Sequence, residues 1–223
     1  MIKISDGNSK LRKTGGKVKA HLAEHGSLAG FVPRPKAYRV VSFNIPAGGY
    51  EMDDKAYTTC PGADACLALC YARQGTFLFK GSKRVRIDNH QLLLTTYATQ
   101  GLDGVVDILD QAVKSVTKTV AVIRLHDSGD FFKKWYVKAW LEVINRNPDI
   151  LFYAYTTFLV TSVLPILSVA SLIVRLTVLT AVSFLPLTNG LQRVTLMETT
   201  ATCLLSLVSI ISDLSTTVLR SLR

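Results

Sequence analysis

Three cysteines fall within eleven residues, Cys60, Cys66 and Cys70, and the 223-residue chain holds one more, Cys203. Thiols this close bind a metal ion, bind an iron–sulfur cluster, or pair as a disulfide with one left over. Their neighbours suggest a three-thiolate cup. Pro61-Gly62 marks a turn. Asp64 stands where a helix cap belongs, and residues 65–73 are mostly good helix formers. On such a helix Cys66 and Cys70, four apart, share a face, while Cys60 sits on the entering loop. The positive field at a helix N-terminus lowers a thiol pKa and favours thiolate, the form that ligates metal. One coordination position is left for another residue or a small molecule.

A second constellation is His126-Asp127-Ser128-Gly129-Asp130. It follows the short apolar run 119–125, which reads as a strand. In parallel α/β sheets, ligands bind where strands end. His126 is a candidate fourth metal ligand or acid–base group, and His126, Asp127 and Asp130 are the candidate catalytic residues. Gly129 lets backbone approach a ligand closely. Ser128, with the helix start that follows, suits an anion or a carboxylate. Ser128, Gly129 and Asp130 are therefore candidate cofactor-binding residues. The competing reading is structural: Asp130 caps the next helix and Asp127 closes the turn. His90 reads as a helix-surface residue, and His21 and His25 as part of a basic arm.

Recognisable elements position these groups. Residues 38–45 read as a strand ended by Pro46-Ala47-Gly48-Gly49. Residues 87–99 and 104–116 have helical spacing. The run 119–125, an apolar stripe through Trp135, Tyr136, Ala139, Trp140, Val143 and Ile144, and the run 150–156 make a βαβ unit, hence a parallel sheet with a right-handed crossover. The expected fold class is α/β, a partial, barrel-like parallel β/α domain.

The net charge of +10 favours acidic partners such as nucleic acid or anionic lipid. Lys10, Arg12, Lys13, Lys17 and Lys19 form a first basic cluster, within a poorly ordered arm over residues 1–30. Lys80, Lys83, Arg84 and Arg86 form a second, beside Tyr71, Phe77 and Phe79, where rings and cations together grip nucleic acid. The start of the chain has no apolar core of signal-peptide length. A reducing cytoplasm is the expected compartment, where clustered thiols favour metal over disulfide.

The α/β domain spans 31–156, and the composition then changes. Residues 157–223 contain 16 Leu, 11 Thr, 9 Ser and 9 Val, with no Lys, His, Tyr or Trp. Three readings are open for this Leu/Ser/Thr/Val-rich segment: membrane insertion, using the uncharged stretch 150–174; an ordinary apolar core; or translation of another reading frame.

Segments 42–46, 59–62, Cys66, 70–73, 124–131 and 152–156, in that order, resemble the phage family called gene product eighty-eight. The resemblance covers about 38–156. That family is similar in outline to radical S-adenosylmethionine proteins, with a cysteine trio early in a β/α fold and a glycine-containing strand-end loop later. The likeness implies a four-iron (4Fe–4S) cluster on Cys60, Cys66 and Cys70. S-adenosylmethionine or another small molecule would bind its open iron, helped by Ser128, Gly129 and Asp130. The alternative from the residues is zinc, completed by His126.

Overall fold

Short β-branched runs next to amphipathic helices build a two-faced sheet. The computed structural model describes residues 1–5, 9–28, 32–156 and 176–180, with backbone alone for Asp64, Ala65, Tyr155 and residues 176–180. In chain order the elements begin with β1 (Ile4–Ser5), α1 (Ser9–His25), β2 (Arg39–Phe43), β3 (Gly49–Met52), β4 (Lys55–Thr58) and α2 (Asp64–Ala68). Then come α3 (Lys80–Val116), β5 (Val120–Leu125), α4 (Lys134–Arg146), β6 (Leu151–Thr156) and β7 (Leu176–Thr180). Two 3-10 turns, Tyr71–Arg73 and Gly75–Leu78, link α2 to α3.

The main sheet has the order β1-β2-β5-β6-β7. β2, β5, β6 and β7 run parallel, and β1 is antiparallel to β2. The expected α/β class, with parallel strands and a β5–α4–β6 unit, is present, and the sheet is mixed because β1 is antiparallel. Period-2 alternation sends the two sides of each strand into different cores. Val41, Phe43, Ile123, Leu125, Phe152 and Ala154 pack with α3 and α4. Val40, Val122, Leu151 and Tyr153 pack with α1. Ala121 breaks the alternation, because the ladder runs from Arg39–Val120 to Val40–Val122 and leaves it as the extra residue of a bulge.

The structure differs from these expectations in some places and adds one element. Within 1–30, expected as a poorly ordered arm, β1 joins the sheet and α1 packs on it. The lysines hid a helical stripe: Leu11, Thr14, Gly15 and Val18 are buried while Lys10, Arg12, Lys13, Lys17 and Lys19 face outward. The two helices expected at 87–99 and 104–116 are both present, as the two parts of α3 that meet at a non-helical Gly101, whose φ of 69° is left-handed. The hairpin β3–β4 was not foreseen. Asp53 and Asp54 both take positive φ (51° and 57°) at its tip, as a tight hairpin turn requires. Finally, residues 151–156 of the stretch considered as a membrane span are a central strand. Among the described residues no helix is long and apolar enough to cross a membrane; residues 157–174 lie outside them.

Candidate functional site at the carboxyl edge of the sheet

β2, β5 and β6 all end at one edge, and the two sequence motifs meet there. Asn44, one residue past β2, organises the loop after β5. Its Oδ1 accepts the backbone N–H groups of Asp127 (2.7 Å) and Ser128 (3.1 Å), and its Nδ2 donates to Ser42 Oγ. Ser128 Oγ donates to the Ile45 carbonyl at 2.9 Å, and the Ile45 N–H donates back to the Ser128 carbonyl. Gly129 has φ +86°, and a Cβ there would stand 2.3 Å from Ile45 Cγ1 and about 3 Å from the Ile45 and Pro46 carbonyl oxygens. Glycine is therefore needed for close packing of loop on loop.

Asp130 is not the helix cap, since α4 begins four residues later with Lys133 at its N-cap. Its Oδ1 accepts from the Phe131 N–H (2.7 Å) and from Thr156 Oγ1 (2.6 Å) at the end of β6. Its own N–H donates to the Thr59 carbonyl, and Thr59 Oγ1 donates to the Pro46 carbonyl. Asp127 does more than close a turn. It pairs with Arg124 Nη1 at 2.7 Å, and both its carbonyl (2.6 Å) and its Oδ1 (3.0 Å) accept from the Tyr71 hydroxyl. Arg124 Nη2 in turn donates to that hydroxyl. Burial holds the Tyr71 hydroxyl pKa well above the ordinary phenol value, so it stays a donor.

The side chain of His126 turns away from the edge. Nε2 lies 2.8 Å from the Tyr136 hydroxyl, and the ring sits against Phe131, Phe43 and Tyr136 in the α4-side core. Burial, with the Arg124 charge adding to it, lowers its pKa to about 3. It is a neutral imidazole that faces the core, with Nε2 against Tyr136, rather than the edge where the cysteine segment sits. His90, read as a surface residue, is 1% exposed. Its Nδ1 meets the Tyr50 hydroxyl at 2.7 Å, its ring lies edge-on to Phe132, and burial lowers its pKa to about 4. The pattern that hides it is the α3 stripe His90, Leu93, Thr96.

The cysteine segment overhangs this platform. α2 ends at Ala68, so Cys66 lies on the helix while Cys70 follows it with extended backbone (φ −66°, ψ 111°). The shared helical face is thereby lost. The helix N-cap is Ala63, with no side-chain cap bond. The thiols are free: Cys60 and Cys70 are partly buried and Cys66 is exposed, so no disulfide joins them. Cys60 Sγ accepts the Gly48 N–H at 3.2 Å. Its pKa is not lowered as expected but pushed up to about 11, by burial first and by Asp130 and Cys70 as well. Cys66 is also raised, through burial, Cys70 and Asp130. Two thiols thus sense the third and the same carboxylate. The donor chemistry fits a thiolate-bound metal, but among the described residues no three His, Cys, Asp or Glu side chains are drawn into one coordination sphere.

Sequence reasoning assigned no role to Asn44, Thr59, Arg124 or Thr156, and gave Tyr71 only as a ring beside the second basic cluster. Each lies in or beside a segment that carried the family resemblance, and each joins one motif to another. Arg86, grouped with the second basic cluster, is buried and donates to Ser82 Oγ and to the Phe77 carbonyl.

A family model described as Gene product 88 matches residues 2–171. A curated relative named Gene 88 protein, from Mycobacterium phage L5, is 36% identical over 101 residues, covering 44% of this chain and 42% of that protein. A second of the same name, from Mycobacterium phage D29, is 35% identical over 101 residues with the same coverage. The matched segment spans less than half the length of these relatives. No solved structure matches the chain.

Proposed function

This chain belongs to the gene product 88 family, and from that premise we propose that it is a metal-thiolate protein whose ligands are Cys60, Cys66 and Cys70. What supports the reading is that three free thiols lie in one short segment tied to the sheet edge through Thr59 and Tyr71, with Cys60 and Cys66 both within electrostatic reach of Cys70. Cys60, Cys66 and Cys70 would close around a metal as it binds, so that binding and local ordering would be one event. Raised thiol pKa values mean that protons leave as metal enters, and affinity climbs with pH. With His126 facing the core and Asp130 Oδ1 already bonded, neither is a ready fourth donor for a closed zinc site. A four-iron cluster with one open iron suits three thiolates better. When bound, such a cluster supplies an electron and an open coordination position for a small molecule.

The test is elemental. Chain purified without oxygen is analysed for iron, acid-labile sulfide and zinc, alongside Cys60→Ala, Cys66→Ala and Cys70→Ala. The expected result is about four irons and four sulfides per chain, lost in each variant. Zinc in place of iron, lost in the same variants, would keep the ligands and change the metal. Protein free of both, whose thiols alkylate equally fast with and without added metal, would overturn the reading.

A further inference from the structure

The knuckle between α2 and the first turn of α3 has features that thiol chemistry does not use. Leu69, Phe79, Leu78 and Tyr71 are 82%, 65%, 58% and 53% exposed. They are four of the seven large apolar side chains exposed among the described residues, and they lie within eleven positions. Over the 23 residues 65–87 there is no Asp or Glu, against Arg73, Lys80, Lys83, Arg84 and Arg86, a charge of +5. Arg86 is buried and braces the Phe77 carbonyl and ring, which fixes the knuckle. Arg73, Lys80, Lys83 and Arg84 are exposed, with Arg84 sharing Asp88.

We propose that this knuckle is a binding surface for single-stranded nucleic acid. Tyr71 is anchored at its hydroxyl by Asp127 and Arg124 and edge-on to Phe77, so its exposed ring is pre-oriented. Phe79 stands at the entry to α3 with Lys80 next to it. Fixed rings flanked by cations stack unpaired bases and neutralise the backbone between them. The same charge would attract an anionic membrane. However, the exposed apolar residues sit on turns and helix ends rather than along one helix face, and an interfacial anchor needs such a face.

The full chain would be titrated against fluorescein-labelled oligothymidylate, the matching duplex, and vesicles with and without phosphatidylserine. Phe79→Ala should weaken oligothymidylate binding about tenfold. Joint Lys80→Ala, Lys83→Ala and Arg84→Ala should reduce the slope of log K against log salt by about two. Tyr97→Ala, an exposed ring stacked on Trp135 elsewhere on α3, should leave binding unchanged. Matched thermal unfolding would show that the variants fold. No binding to oligothymidylate, binding that ignores the knuckle variants, or binding confined to phosphatidylserine vesicles would each overturn the proposal.

Discussion

His126, Asp127, Ser128 and Asp130, in the loop after β5, are all buried, whereas Leu69, Tyr71, Leu78 and Phe79, in the cysteine segment and the turns after it, are exposed. Both groups belong to motifs rich in chemistry-bearing residues, yet they are built in opposite ways. In the loop after β5, polar atoms are turned onto neighbouring backbone: Asn44 takes two N–H groups, Ser128 a carbonyl, Asp130 an N–H and a hydroxyl. The cysteine segment makes few such bonds and leaves its thiols free. A dense polar motif can thus be the frame rather than the reacting surface. Here the frame holds Thr59 and Tyr71, which flank the cysteines on the two sides.

The contrast breaks most visibly in acid. Unfolded histidines take up protons below about 6.5, while in the fold His90 does so only near 4 and His126 near 3. The unfolded chain therefore binds more protons across that window, and stability falls as pH drops from 6.5. His90 alone accounts for ~3 kcal/mol by pH 4. The cysteine half moves the other way. Cys60, raised from 9 to about 11, stays protonated in the fold while the unfolded thiol ionises, so its loss of stability begins above pH 9. Urea unfolding between pH 4 and 10 checks both limbs; equal stability at pH 7 and pH 5 would contradict the buried imidazoles. Next in size is Gly129→Ala. It should cost about 3 kcal/mol, from positive φ plus contact with the Ile45 and Pro46 carbonyls. An unfolding midpoint equal to the parent would show that the loop can move off Ile45.

The sequence made the frame's location plain, though not its wiring. Alternating apolar runs and the Trp135–Ile144 stripe marked β5, α4 and β6, because burial enforces their periods. The orientation of His126 was not readable. Its partner Tyr136 is ten residues away, and the left-handed φ of 66° that redirects the chain leaves no trace in residue type. Nor could the end of α2 at Ala68 be read through residues that all favour helix, because tertiary contacts decide it: Tyr71 is drawn to Asp127, 56 positions on. α1 was missed for the converse reason, since a lysine-rich surface lowered the apparent amphipathicity of a stripe only four residues long.

Where the two halves join, the effects become smaller and more informative. Tyr71→Phe removes one hydroxyl that bonds Asp127 twice and Arg124 once, while the Arg124–Asp127 pair remains. About 1 kcal/mol should be lost. If the frame positions the cysteines, metal affinity should fall as well; an unchanged affinity would mean that the segment holds itself in place.

The smallest effect separates the halves most sharply. Cys66 is exposed, and its thiol is removed from water far less than that of Cys60. Replacing it with serine in metal-free chain should change stability by less than ~0.5 kcal/mol, as expected for a surface position away from caps and core. Metal content should fall by at least tenfold nonetheless, because serine offers a protonated hydroxyl where a thiolate is required. Stability without retention of metal is the signature of a residue kept for its chemistry. If Cys66→Ser instead weakened the metal-free fold by more than ~1 kcal/mol, or kept its full metal complement, Cys66 would belong to the frame, and the division between a buried scaffold and an open reactive segment would fail at the residue where it is most easily measured.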